Sequence, residues 1–530
     1  MKKSRMTRAL SLLMVVIMIL TLGLFGCKKA PQSDPVDDNY RTFYQIFVGS
    51  FSDSNNDGIG DIRGIIERFD YLNDGNVNSK DSLGVQGIWL SPIFSSPSYH
   101  KYDASDYYKI DWRFGTEEDL KELVALCNER NVKLILDLAI NHTSSSHAWF
   151  QQFKEARMKG DTENEFYDYY STVTTAEKVG GVTYQKIAGV DYWYECNFSG
   201  DMPELNFDNP TVRQKTLDIA KYYLDLGVHG FRFDAIKYVY YGDTAKSVAF
   251  WEWYMNELRA YAPDIYCVGE CWSGESEILE YYGAMNCFNF AMSSAEGTVA
   301  SAAKGFSISK YTSYIEAYQK KVLNKNPDGM VMGFLSNHDM DRIAGMFVTE
   351  GNMRMAANLY LLCTGSPVIY YGEEIGMRGS RGSANTDANR RLAMLWGDDD
   401  LIRNPVGSSY PEANQIDTTV ADQAADEESL LNYYRELLTI RHKYPAIARG
   451  SYKSLATAEK CFGGFLITYE GEELLLLHNT SNEEITFDLA TIKGLEEHEI
   501  GKILDYIGMG NAKLKGTVLT LGPQTSVIVG

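Results

Sequence analysis

Residues 230–238 read Gly-Phe-Arg-Phe-Asp-Ala-Ile-Lys-Tyr. The apolar run that starts at Val228 and ends at Phe233 predicts a buried strand, interrupted and then closed by two charges. Arg232 and Asp234 are two residues apart, so both side chains leave the same face of that strand. A core strand seldom carries an acid and a guanidinium on one face unless they meet at its mouth. An arginine beside an aspartate keeps it ionised, which is what a carboxylate nucleophile needs. A structural ion pair has the same signature, so the rest of the chain has to decide.

Outward from this stretch, apolar strand-like runs alternate with amphipathic helical ones. Strand-like runs cover residues 42–51, 85–93, 132–139, 228–233, 265–268, 285–292, 329–335 and 367–371. Helical spacing appears over 116–131, 211–226, 247–261 and 430–442, with Thr116 as N-cap and Asp119 three residues on. Eight strand–helix units predict an α/β fold, a (β/α)8 TIM barrel. The rhythm breaks for about sixty residues after the third strand. Beyond residue 450 the pattern becomes short alternating strands with turns. The expected layout is a barrel over 40–142 and 204–450, an inserted domain over 143–203, and a C-terminal antiparallel β-sandwich domain over 451–530.

In such barrels the chemistry sits at the C-terminal ends of the strands. There the chain places Asp137 to His142, Arg232 with Asp234, Glu270, and Asn337-His338-Asp339. Each has an ordinary explanation alone, as a helix cap or a satisfied core histidine. Three carboxylates, Asp234, Glu270 and Asp339, with an arginine and two histidines at neighbouring strand mouths form a constellation. Paired carboxylates with polar helpers and no Cys/His cluster point to glycoside hydrolysis. There the nucleophile is ionised while the acid is protonated, so their surroundings must differ.

Four short motifs make the reading specific. DLAINH (137–142), GFRFDAIKY (230–238), Gly269-Glu270 and FLSNHD (334–339) resemble, in order, those of the α-amylase family, the retaining α-glucoside hydrolases of family 13. GIWLSPIF (87–94), MPELN (202–206) and GSPVIYYGEEIGM (365–377) match as well, so the resemblance spans about residues 40 to 450. It implies Asp234 as nucleophile, Glu270 as general acid/base and Asp339 as stabiliser of the transition state. It implies Arg232 orienting Asp234, His142 and His338 bonding the sugar at the cut, and Tyr102 stacking beneath it. Asp103 would touch that sugar's far hydroxyls, and Lys237 would line the next sugar site. The implied substrate is an α-glucan polymer or maltooligosaccharide, cut internally at α-1,4 bonds because MPELN is closer to the amylase form of that motif. The chain departs from the family at Tyr238, where its amylases usually have a histidine whose carbonyl often helps bind calcium. It departs again at Glu204, where Asp is usual, and at Ala393, where Pro is expected.

A second chemical stretch runs from Asp53 to Asp61, Asp-Ser-Asn-Asn-Asp-Gly-Ile-Gly-Asp. Oxygen side chains at alternate positions around a glycine suit a hard cation such as Ca2+. Its twelfth position is Gly64 rather than Glu, which argues against an EF-hand. It resembles the structural calcium loop after the first strand of some family members, which implies Asp53, Asn55, Asp57, the Ile59 carbonyl and Asp61 as ligands.

The chain has 530 residues with 45% hydrophobic content and a formal net charge of −21, which argues against a nucleic-acid partner. Lys2, Lys3, Arg5 and Arg8 precede an almost wholly apolar run that ends Gly26-Cys27. This resembles a bacterial lipoprotein signal over residues 1–26, with Cys27 as the lipidation site and a polar tether over 27–39. The implied location is extracytoplasmic, lipid-anchored to a bacterial membrane; an uncleaved signal anchor is the other reading of the same run. The enzymatic rivals are an exo-acting α-glucosidase and a glucan transferase. From a different class, a sugar-binding lipoprotein would need no acid of raised pKa.

Overall fold

The strand Gly230–Phe233 lies inside a seven-stranded parallel sheet. The structure is a computed structural model and describes residues 38–530 apart from 348, 398–399 and 496–497. The signal-like run, Cys27 and the tether as far as residue 37 lie outside the described residues.

In chain order the sheet strands are β1 (Phe43–Ile46), β2 (Gly87–Leu90), β3 (Lys133–Leu138), β4 (Gly230–Phe233), β5 (Tyr266–Gly269), β6 (Asn286–Cys287) and β7 (Val368–Tyr370). They run β6-β5-β4-β3-β2-β1-β7 across the sheet, all parallel. Two isolated parallel bridges, Phe288 to Met332 and Phe334 to Val368, join the two edges and close the barrel. Residues 329–335, expected as a full strand, contribute only these bridges, and the run 285–292 shortens to β6 followed by a 3-10 turn over Phe290–Met292. The strands on either side, β6 and β7, are two and three residues long, so no longer ladder can form between them.

The alternation expected of β4 holds. Phe231 and Phe233 point outward into the layer shared with the helices, where Phe233 meets Trp251 of the helix Thr244–Tyr261 at 4.8 Å between ring centroids. Arg232 points inward. Below that level the barrel interior is apolar: Phe43, Trp89, Ile135, Tyr266, Val268, Phe288, Met332, Phe334 and Val368 fill it, while Asp137 and Gln45 join Arg232 nearer the mouth. Gly230 is required at the base of β4, because a Cβ there would lie 1.8 Å from the Tyr266 carbonyl oxygen. The helix Glu117–Glu129 starts with the reciprocal cap foreseen between Thr116 and Asp119.

After β3 the chain leaves the barrel to form the helix Ala148–Lys159 and a small antiparallel sheet of Thr172–Val173, Tyr184–Lys186 and Trp193–Glu195. It returns beside its exit point, Leu205 N–H donating to the Asn141 carbonyl at 3.0 Å. The C-terminal part is a β-sandwich of a five-stranded and a three-stranded antiparallel sheet. Period two divides the larger sheet. Phe465, Ile467, Leu474, Leu476 and Ile528 join the main core against the barrel helices, while Leu466, Leu475, Leu477, Val527 and Val529 face the smaller sheet. Among the described residues no helix is long and apolar enough to cross a membrane.

Candidate active site

The C-terminal ends of the strands open into a cleft of about 780 Å³. On its floor Arg232, fully buried, serves three carboxylates. Its Nη1 donates to Asp137 Oδ1 at 2.7 Å and to Asp234 Oδ1 at 2.6 Å, and its Nη2 lies 3.7 Å from Glu270 Oε2. These charge-assisted contacts fix the Asp234 carboxylate at the mouth of β4. Asp137 in turn accepts from Trp89 Nε1 and the Tyr102 hydroxyl. Burial pushes its carboxyl up to about 6, against the pull of Arg232.

The residue after Asp234, Ala235, takes a left-handed conformation with φ 50°. That is unusual for a residue with a Cβ, and it turns the chain sharply into the 3-10 helix Ile236–Tyr238. The turn aims the Ala235 N–H at Glu270 Oε2, 3.1 Å away. Glu270 has a different environment from Asp234. Burial raises its carboxyl to about 7, the charges of Asp234 and Asp339 add to the rise, and Arg232 opposes it. A group poised there can donate a proton in one step and take one back in the next.

Asp339 is gripped at both oxygens, by His338 Nε2 at 3.0 Å and by Arg391 Nη2 at 2.7 Å. Burial would raise its pKa, but His338, Arg391 and Arg232 together hold it well below the carboxylate range. His338 is itself buried, with Gln45 at Nδ1 and the Tyr102 hydroxyl at Nε2, its ring parallel to that of Tyr102. His142 donates from Nε2 to the Tyr102 carbonyl at 3.1 Å. Burial lowers its pKa, so the ring is the neutral tautomer and its Nδ1, which has no partner among the described residues, is left to accept a hydroxyl.

Of the residues singled out in the sequence, Asp234, Glu270, Asp339, Tyr102, His142 and Lys237 line the cleft. Arg232 and His338 lie behind them and hold them. Asp103 is buried to one side, its Oδ1 accepting from the hydroxyls of Ser96, at 2.7 Å, and Ser98. Residues not foreseen are Arg391, its partner Tyr99, and the arginine–aspartate group of Arg381, Asp387 and Arg390 on the loop after β7. The nearest sequence signal to Arg391 was Ala393, two residues on.

The Asp53–Asp61 loop is wound around its own acids. Asp53 accepts from the backbone N–H of Asn55, Asn56 and Gly58, and Asp61 accepts from Ser54 and from Gly64, whose helix Ile62–Glu67 it caps. Asp53 and Asp61 are buried, and neither has an ion-pair partner among the described residues. Burial, with the charge of Asp53, raises the Asp61 pKa even though Gly64 and Ser54 donate to it. Among the described residues no three His, Cys, Asp or Glu side chains converge as a metal centre. The loop offers instead a mixed set of carboxylate, amide and carbonyl oxygens around two uncompensated buried acids. That donor chemistry fits a hard cation.

Comparison with known proteins agrees with this geometry. Residues 45–450 match the family model described as alpha amylase, catalytic domain. An alpha-amylase 3 of Dictyoglomus thermophilum is 35% identical over 492 residues, 92% of each chain. A 4-alpha-glucanotransferase of Thermotoga neapolitana is 28% identical over 84% of this chain and 97% of its own. The solved structure of Eubacterium rectale Amy13B superposes with a TM-score of 0.85 at 31% identity, covering 94% of this chain and 97% of that one.

Proposed function

The chain belongs to the α-amylase family, and from that premise we propose that it hydrolyses internal α-1,4 bonds of starch, glycogen or maltooligosaccharides with retention of configuration. Asp234 attacks the anomeric carbon from below while Glu270 gives its proton to the leaving oxygen. Water then enters, Glu270 takes one of its protons, and the ester to Asp234 breaks. Asp339 and His142 bind hydroxyls of the distorted sugar, and Arg391 keeps Asp339 ionised and aimed.

The observation that carries this reading is the contrast at one arginine: Asp234 bonded directly to Arg232, and Glu270 left at 3.7 Å with its carboxyl raised to about 7. Internal cutting is supported by a lining drawn from several segments around the acids: Lys237, Tyr238 and Trp272 follow β4 and β5, and Tyr99, Asp387 and Arg391 come from the loops after β2 and β7. Asp103, the residue suited to cap a chain end, is engaged by two serines beside the cleft. On amylose, iodine staining is expected to fall well before reducing ends accumulate, and end-blocked maltooligosaccharides to be cut. Asp234→Asn and Glu270→Gln should each lose nearly all turnover while keeping the melting temperature. Glucose as the sole early product, with blocked substrates untouched, would refute internal cutting.

Two further assignments belong to this proposal. The Asp53–Asp61 loop holds one structural Ca2+ through Asp53, Asn55, Asp57, the Ile59 carbonyl and Asp61; the ion, when bound, supplies charge that offsets the buried acids. Cys27 carries a lipid that anchors the enzyme outside the cytoplasm, as the motif at residues 1–27 suggests. Loss of acyl labelling in Cys27→Ser checks it.

A further inference from the structure

Arg342 lies three residues past Asp339 and is 2% exposed. Among the described residues no carboxylate pairs with it, and its bonded donors go to carbonyls of the loop after β7. Nη1 donates to the Tyr371 carbonyl at 2.6 Å, Nε to the Arg390 carbonyl at 3.0 Å, and the backbone N–H to the Gly379 carbonyl at 2.8 Å. Its guanidinium lies over the rings of Tyr370 and Tyr371, 4.4 and 4.6 Å from their centroids. The Arg390 carbonyl takes a second donor, the Tyr370 hydroxyl, at 3.1 Å. The loop answers from its own side: Arg390 Nη1 donates to the Asp339 carbonyl and its Nε to Asp341, both at 2.7 Å.

Burying a guanidinium without a counter-charge is costly, and an apolar side chain of similar volume is often as good for stability. What an apolar side chain could not do is tie several carbonyls of one loop to the segment that carries Asp339. The Arg390 carbonyl belongs to the peptide that leads into Arg391. With two donors on that oxygen the peptide plane has one orientation, and Arg391 starts from a fixed position. From there Arg391 Nε donates to the His338 carbonyl at 3.0 Å, Nη1 to the Tyr99 hydroxyl at 3.0 Å and Nη2 to Asp339 Oδ1 at 2.7 Å. Arg342 itself does not line the cleft. We propose that Arg342 is a positioning residue: it fixes the peptide ahead of Arg391 and thereby the line along which Arg391 holds Asp339. This rests on the hydrolytic reading of the site given above and adds to it a residue that touches neither sugar nor acid.

A double-mutant cycle tests this. On maltoheptaose, well below the melting temperatures, Arg342→Gln should lower kcat roughly tenfold to a hundredfold and leave KM within about twofold, because a misaimed Asp339 is felt most by the distorted sugar. Arg391→Gln should lower kcat further, and the double variant no further than Arg391→Gln alone. Arg342→Lys keeps the charge, but a point charge cannot reproduce the fork over both carbonyls, so it should recover melting temperature without recovering kcat. Tyr370→Phe removes only the second donor to Arg390 and carries the same cycle if Arg342→Gln does not fold. Losses that multiply in the double variant, or a lower melting temperature with kcat intact, overturn the positioning role while leaving hydrolysis in place. A crystal structure of Arg342→Lys needs no turnover: Arg391 displaced from Asp339 is expected, and Arg391 still bonded to it overturns the proposal. A wild type that cuts no α-glucan, with that displacement seen, removes the hydrolase reading and keeps the link between the two arginines.

Discussion

At the scale of single residues, one guanidinium separates two roles. Arg232 binds Asp234 directly and Glu270 only at 3.7 Å, and burial leaves Glu270 with a pKa of about 7. In the proposed mechanism the acid form of Glu270 is the active one in the first step, so kcat/KM is expected to fall as pH rises through about 7, with the slope of a single proton. An aryl or fluoride leaving group needs no proton, and with it that limb should vanish for wild type and Glu270→Gln alike. A limb that persists with such substrates would assign the titration elsewhere. The three acids were legible in the sequence because each sits in a short motif at a strand end. Arg391 was not: it reaches Asp339 from a loop 52 residues further on, and no local pattern encodes that closure. Asp137 was legible as a motif member, but its part as the hub joining Arg232, Trp89 and Tyr102 needed the inward face of three strands at once.

At the scale of elements, the loop between β1 and the helix Ile62–Glu67 joins the cation proposal to stability. Asp61 also caps that helix, so its removal would cost about 1 kcal/mol with or without a metal. Asp57 is exposed and only closes a turn onto Ile59, which makes it the cleaner probe. A chelator is expected to lower the melting temperature of wild type by about 5 °C, and Asp57→Ala to start low and respond little. Elemental analysis that finds no calcium in unchelated protein would end the assignment. Helix caps and buried strands were readable here because capping boxes and apolar runs are local signals. The run 329–335 misled, since its apolar content is that of a strand while its pairing depends on β6 and β7, both too short to extend it. Strand propensity reports a half-buried surface, not the presence of a partner.

At the scale of the whole molecule, the C-terminal sandwich is part of the enzyme's core. Tyr452, Phe465, Ile467 and Leu476 belong to the same buried cluster as Tyr311 and Ile315 of the helix Ile308–Lys325. A chain ending at residue 450 would expose that helix face, and it should be insoluble or melt well below the full chain; a truncated form as stable as the whole would show that the sandwich is dispensable. The change of pattern after residue 450 was visible in the sequence, but its dual packing was not, because period two names two faces without saying what covers each. The barrel's closure carries a last consequence. Six of its seams are ladders, whereas the two edges meet through single bridges around Met332 and Phe334. Asp339 and Asn337 lie just beyond that join. A ring fastened this lightly breathes at its clasp: the amide protons of Asn289, Ser366 and Val368, which donate to Met332, Val331 and Gly333, should exchange with solvent sooner than those inside β2 to β4. A sugar held by Asp339 on one side and by Glu270 on the other would span the clasp, so occupancy of the cleft should be audible in the exchange of three protons deep in the wall.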